Sequence, residues 1–273
     1  MADKLTEALR ELALANRIAA NEGVLDTLGH VSMRHPDNPH RYFLSRSSAP
    51  DMVTAEGLIE YDLDSKPVRD QGAAQYSERV IHGEIYKARP DVMAVCHHHS
   101  PAFMPLLATG TDYVPVFHMG AVGGIRPPFW DQRYEFGDTN MLVVKAEEGA
   151  SLARALGSHS MVLMRRHGVT VVGESVRDCV YRAVQSCRNA DYQARAMAIG
   201  AIASLSEGET HLAAGIIRTT TALTRAWDYW AKRVAQADAL SDALAKPVAA
   251  AAGRRKAAKA AKPAKKRSKK ARR

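Results

Sequence analysis

The stretch Val92-Met93-Ala94-Val95-Cys96-His97-His98-His99-Ser100-Pro101 decides how this chain reads. Its apolar run, Val92–Val95, reads as a strand, and side chains alternate across a strand with a period of two. His97 and His99 then project from one face, while Cys96 and His98 point to the other. Two imidazoles on one rigid face can chelate a divalent cation, whereas the same i, i+2 pair on a helix would diverge. A cation held by imidazoles usually takes a third protein ligand and keeps an open position for substrate. His167, between the apolar runs Met161–Met164 and Val169–Val172 and followed by Gly168, is the best placed of the remaining histidines.

Working outward, Leu5, Leu9, Leu12 and Ile18 recur at helical spacing behind Asp3, a candidate N-cap, which predicts an amphipathic opening helix to Glu22. Leu28-Gly29-His30-Val31-Ser32 looks like a loop. Pro36–His40 reads as a turn before a short strand at Tyr42–Leu44, and Asp62–Lys66 as a hairpin tip. Ser77–Lys87 is a candidate helix on which Glu78 and His82 share a face, so His82 is placed to orient Glu78. Pro101 opens another short helix. The Gly- and Pro-rich span Val114–Gly137 predicts a long ordered loop, and such loops are commonly functional.

Ala150–Leu156 predicts a helix, and the two apolar runs around His167 predict a tight hairpin in which Gly168 can take a positive φ. Ser175 begins a long helix to about Ile199. Ser206 with Glu209 makes a capping-box pattern for a last helix, reaching about Leu240, on which Trp227, Tyr229 and Trp230 pack against the core.

Composition bounds the class. The chain has 273 residues, 46% hydrophobic and 25% charged, which is ordinary for a globular protein with a substantial core. No apolar stretch reaches the ~18–20 residues of a membrane span. Met1–Arg10 does not read as a secretory signal, so a cytoplasmic enzyme is the expectation. Cys96, Cys179 and Cys187 match neither a disulfide framework nor a four-thiolate zinc site and should be reduced and buried. The formal charge of +9 belongs to the end of the chain: Arg254–Arg273 carries twelve Lys/Arg and no acid, leaving the preceding residues at −3. A catalytic domain over 1–245 followed by a disordered Lys/Arg/Ala-rich tail over 246–273 is expected. The tail could hold nucleic acid through counterion release, but it has no base-reading chemistry, and a solvated extension is the favoured reading.

Four ordered segments carry a family resemblance: Gly29-His30-Val31-Ser32-Met33-Arg34, Ser77-Glu78-x3-His82, His97-x-His99-Ser-Pro and Leu163-x3-His167-Gly168. Together they resemble the class II aldolase/adducin family over roughly residues 5–235. The resemblance implies an α/β/α sandwich around a mainly antiparallel sheet, and a homotetramer with active sites at subunit interfaces. It also implies His97, His99 and His167 as ligands of a divalent metal, Zn2+ first and Mn2+, Co2+ or Fe2+ as alternatives. Glu78 becomes the acidic residue beside that metal, either ligating it or moving a proton.

Departures from the family pattern narrow the chemistry. Sugar-phosphate aldolases of the family carry asparagine where His30 stands, and hold phosphate with a Thr-Gly turn and paired serines. Here the turn is Ser45-Arg46-Ser47-Ser48, and Tyr76 replaces the first serine of the pair. The aldolases' catalytic tyrosine is also missing, since Met119 follows His118. The text Gly-His-Val-Ser, Leu-Ser-Arg, His-Met-Gly-Ala and Arg-Ala-Trp is closer to the decarboxylase branch, which acts on hydroxylated aromatic or ring-cleavage dicarboxylates.

Both reactions break a C–C bond and need the electrons drawn into an enolate or phenolate by a neighbouring cation. The expectation is therefore a metal-dependent decarboxylase of a small carboxylate, with Glu78, His30 or His118 delivering the proton. Arg46 and Arg126, with Ser45, are the candidate substrate contacts, because arginine grips carboxylates bidentately. The alternative is an aldolase or epimerase acting on a (phospho)sugar.

Overall fold

Strand β4 (Ala94–His98), which carries the histidine run, lies at the centre of a sheet ordered β3-β2-β1-β4-β7-β6-β5. The computed structural model describes residues 3–69 and 72–245. Helix α1 (Lys4–Asn21) precedes β1 (His30–Arg34), β2 (Arg41–Ser45) and β3 (Leu58–Asp62). Helix α2 (Arg79–Ala88) leads into β4, followed by α3 (Met104–Thr109). After a long connection come β5 (Phe129–Trp130), α4 (Arg133–Phe136), α5 (Ala146–Leu156) and the hairpin β6 (Met161–Met164) with β7 (Gly168–Gly173). Helices α6 (Val176–Ile199), α7 (Glu207–Ile217) and α8 (Thr220–Ala245) complete the fold.

Alternation along the strands sorts the core into two layers. Val31, Met33, Ala94, Cys96, Val169 and Val171 pack against α1, α3, α6 and α8 on one side of the sheet. Tyr42, Leu44, Val95, Val162, Met164 and Val172 face the other way, onto Ile81 and Ile85 of α2 and Leu152 and Leu156 of α5. The result is the expected α/β/α sandwich. Every described strand pair is antiparallel except β5–β6. The three cysteines are free and buried, and Trp227 and Trp230 are buried in the first layer's core, whereas Tyr229, on another face of the helix, is exposed. No helix among the described residues is long and apolar enough to cross a membrane. The expected basic tail, 246–273, lies outside the described residues.

Several local readings change. The segment read as a loop is β1: Asn16, buried on α1, accepts from the Val31 N–H (2.9 Å) and donates to its carbonyl (3.2 Å), pinning the strand's start to the helix. The span Val114–Gly137 contains β5, a two-residue strand too short for its own hydrophobic pattern to show. Helix α5 starts at Ala146, four residues earlier than read, and the Glu148 carboxylate accepts from the backbone N–H groups of Val144 and Lys145 (2.9 and 3.0 Å) at its start. The last helix is two helices. Arg218 turns inward to pair with the buried carboxylate of Asp178 (2.8 Å), and α8 starts afresh after Thr219.

The β6–β7 turn also differs in its mechanism. Arg166, not Gly168, takes the left-handed conformation (φ 57°). Gly168 matters for space instead: a Cβ there would lie against the His98 carbonyl oxygen, well inside van der Waals contact, and 2.9 Å from Cδ2 of His99. Because backbone cannot yield as a side-chain tip does, Gly168→Ala should cost about 1–3 kcal/mol of stability. A thermal melt reads this as a Tm several degrees lower, and an unchanged Tm would show that the hairpin has room to spare.

Candidate metal centre

Antiparallel pairing gathers the site at one end of the sheet. His30, the first residue of β1, stands opposite His97 on β4, and Thr170 of β7 stands opposite His97 on the other side. His99 lies just beyond the end of β4, and His167 just before β7. Glu78 occupies the N-cap position of α2 without capping it. Its Oε1 accepts from the Val143 N–H instead (2.9 Å), which turns the carboxylate toward the histidines.

Glu78, His97, His99 and His167 each offer a ligand atom, and these atoms lie within 4.8 Å of one another. Nε2 of His99 is 3.1 Å from Nε2 of His97 and 3.3 Å from Nε2 of His167. The Glu78 carboxylate stands 3.6 Å from His97 Nε2 and 3.5 Å from His167 Nε2. Two ligand atoms on a tetrahedron with bonds of about 2.0–2.1 Å are separated by roughly 3.3–3.4 Å, so the spacing fits a first-row divalent ion.

The ring tautomers make the same point. Thr170 donates its hydroxyl proton to the Met164 sulfur (3.4 Å), leaving Oγ1 free to accept from His97 Nδ1 (3.1 Å). The Asp26 carboxylate, 3.2 Å from His99 Nδ1, can only accept from it. Both rings therefore carry their proton on Nδ1 and present bare Nε2 lone pairs to each other. Two lone pairs at that distance repel unless a cation lies between them. Nδ1 of His167 is buried without a well-formed hydrogen bond.

Burial, with the neighbouring His97, pushes His167 down to about 4, and the same two causes lower His99 despite the opposing carboxylate of Asp26. At neutral pH these rings are free to ligate. Burial works to raise the Glu78 carboxyl, yet it lies well below the usual carboxylate range, with the Val143 N–H donating to it, and is ionised at neutral pH. The backbone around His167 is strained: Arg166 at φ 57° and Met141 at φ 69° are both left-handed without glycine, a cost of about 1–2 kcal/mol each.

Other expected residues are distributed unevenly. His30 is buried beside the group, its ring 5.5 Å from that of His97 and 4.4 Å from that of Tyr76. Ser45 is buried near it, its hydroxyl 3.5 Å from that of Tyr76. Arg46 is exposed beside Gly57. Arg126 is exposed and paired with Asp112 (3.4 Å). His118 is exposed in a separate groove with Met119, Tyr181, Arg188 and Tyr229. Within one chain, no contact among the described residues joins these last three to the four-residue group. His82 does not orient Glu78 either; its nitrogens bond to Ser32 and His30. His98 faces the opposite layer, against Phe103.

Asp26 and Val143 were not found by sequence reasoning, since neither stands in a motif, although Asp26 caps the turn at Leu28 and Gly29 through its own carboxylate. A cavity of about 230 Å³ adjoins His167 and is lined by Trp130, Asp131, Gln132, Arg165 and Arg166. Arg165 and Arg166 share Asp131, at 3.9 and 3.3 Å.

Residues 10–194 match the family described as Class II Aldolase and Adducin N-terminal domain. The chain belongs to this family. Among similar proteins is decarboxylase tropJ of Talaromyces stipitatus, 35% identical over 233 residues, 77% of this chain and 88% of that one. The 3,4-dihydroxyphthalate decarboxylase of Arthrobacter keyseri is 28% identical over 192 residues, 65% of this chain and 73% of that one. The fold is shared with L-fuculose 1-phosphate aldolase from Glaciozyma antarctica PI12, with a TM-score of 0.70, 21% identity, and coverage of 87% of this chain and 92% of that one.

Two outcomes follow. Carboxylates behind ligating histidines set ring orientation and basicity, so Asp26→Asn should weaken zinc binding about 10–100-fold in a chelator-competition titration; unchanged affinity would leave Asp26 as a turn cap alone. Burial, the largest cause in each case, pushes His30 and His98 down to about 3 and lowers His82 as well. Below about pH 6.5 the unfolded chain protonates these rings while the folded chain does not, so stability must fall on acidification. The slope is about 1.4 kcal/mol per pH unit for each such histidine, and denaturant melts of metal-free protein between pH 7 and 4 would expose a flat profile if the rings were not neutral.

Proposed function

We propose that this protein is a metal-dependent decarboxylase acting on a hydroxylated aromatic or ring-cleavage dicarboxylate, with His97, His99 and His167 holding the cation. The observation that carries the reading is the pair of bare Nε2 atoms facing each other beside an ionised Glu78. A bound divalent ion, Zn2+ by its donor set, would supply a Lewis acid for the charge that develops as CO2 leaves. Relatives named as decarboxylases, one of them for a dihydroxylated aromatic dicarboxylate, support the choice of leaving group. No Thr-Gly phosphate turn stands at Ser45-Arg46-Ser47-Ser48, which weighs against a sugar phosphate.

Glu78 is given the proton transfers. Held ionised, it begins as a base and takes the proton of the substrate hydroxyl. It returns that proton to the carbon that loses CO2, and the hydroxyl is restored from solvent. Arg165 and Arg166 are better placed than Arg46 or Arg126 to grip the second carboxylate, because they line the cavity beside His167. Their shared Asp131 keeps both guanidinium groups at its mouth. The exposed Leu212, Ile216, Tyr229 and Leu240 of the last two helices suit the homo-oligomer, a tetramer, that the family resemblance implies.

Metal-loaded protein should evolve CO2 from hydroxyphthalate-type or carboxymuconate-type substrates. Glu78→Gln should lower kcat about 10²–10⁴-fold while leaving the fold intact. A metal-loaded enzyme inert toward all such acids but active on a sugar phosphate would sink the assignment.

A further inference from the structure

Four buried side chains stand in a hydrogen-bonded file that ends beside the cation site. Tyr86 Oη is 2.8 Å from Ser32 Oγ, Ser32 Oγ is 2.6 Å from His82 Nδ1, and His82 Nε2 is 2.8 Å from His30 Nδ1. Distances leave the direction of the file open. Proton counting closes it.

Tyr86 is 1% exposed, and Ser32 Oγ is the one acceptor its hydroxyl has among the described residues. The Arg34 guanidinium lies over the ring, 4.7 Å from its centroid, but spends its N–H groups on the carbonyls of Val92, Pro39, Tyr86 and Arg89. Tyr86 therefore donates to Ser32, Ser32 donates to His82 Nδ1, and His82 donates through Nε2–H to His30 Nδ1. In the reverse direction the hydroxyl proton of Tyr86 would be buried with no acceptor, and folded proteins rarely leave a donor so placed. With Nδ1 of His30 occupied as an acceptor, the neutral ring must carry its proton on Nε2. That nitrogen makes no hydrogen bond among the described residues, and the ring sits beside His97 and Tyr76.

We infer that His30 is locked as its Nε2–H tautomer and meets the substrate as a neutral hydrogen-bond donor to a carboxylate or phenolate oxygen, not as the acid that protonates carbon. Donating the Nε2 proton to carbon would leave an imidazolate unless Nδ1 drew a proton from the file in the same step. Each link would pass one proton along, and the negative charge would come to rest on Tyr86. Burial holds that phenol's proton far more tightly than usual, so the file fixes a tautomer without conducting protons. Tyr86, Ser32 and His82 are positioning residues in this arrangement. The identity of the bound oxygen rests on the decarboxylase reading; the tautomer does not.

Magic-angle-spinning NMR of full-length, metal-free protein labelled with 15N at histidine tests the tautomer directly. His30→Gln assigns the His30 signals by difference. The expected spectrum shows His30 with Nε2 protonated and Nδ1 bare, and finding the proton on Nδ1 would overturn the inference whatever the enzyme's activity. Turnover of a dihydroxyphthalate then tests the role. Gln keeps an N–H donor but has no proton to give, so His30→Gln should outperform His30→Phe by tenfold or more in kcat/KM. Equal losses in the two variants, with both melting as cooperatively as the native chain, would reinstate His30 as the acid.

Discussion

The site depends on a repulsion. Nε2 of His97 and Nε2 of His99 face each other at 3.1 Å, and the groups behind the rings, Thr170 and Asp26, leave both nitrogens without a proton. A hydrogen bond between them would need one ring to reverse its tautomer, and the carboxylate of Asp26 and the committed hydroxyl of Thr170 oppose that change. The fold thus stores an unfavourable contact that a cation relieves. Affinity for the ion and the cost of assembling the site without it have one origin.

That contact requires the sheet. The pleat sends His97 and His99 to one side, antiparallel pairing sets Thr170 opposite His97, and the β6–β7 hairpin returns His167 to the same end. Gly168 lets the hairpin approach β4 closely, while the strained Arg166 and Met141 sit on either side of His167. Strain at such positions persists only where surrounding packing fixes it. Here that packing comes from the two apolar layers of the sheet.

Sequence made the repeating parts of this arrangement readable and left the converging parts obscure. His97, His98 and His99 sort by face because strand periodicity is a local property, and the Ser175 and Asp3 caps read correctly for the same reason. The start of β1 read as a loop because its order comes from Asn16 on another element, fifteen residues away. Asp26 meets His99 across 73 residues, and Val143 meets Glu78 across 65, so no pattern in either neighbourhood announces the contact. The break between α7 and α8 carries neither Gly nor Pro; it follows an ion pair from Arg218 to Asp178, which helical propensity does not encode. Arg46 and His118, in the Leu-Ser-Arg and His-Met-Gly-Ala text, and Arg126, read by its carboxylate-gripping chemistry, lie away from the cluster within one chain, where no local pattern states what a neighbouring element brings close.

The two sides of the site divide the electrostatic work. On one, Glu78 is an ionised acceptor that already takes the Val143 N–H and turns its carboxylate toward the cation position. On the other, His30 is backed by a file of neutral donors ending in a buried phenol, so it can donate a hydrogen bond to an anionic oxygen while the file behind it supplies no proton. A substrate bridging the two would have its acidic hydroxyl toward Glu78 and an oxygen that stays anionic toward His30. A hydroxy acid with adjacent hydroxyl and carboxylate groups meets that requirement. A polyol phosphate would bring a dianion instead, and under the proposed reading the Ser45-Arg46-Ser47-Ser48 stretch offers it no Thr-Gly turn.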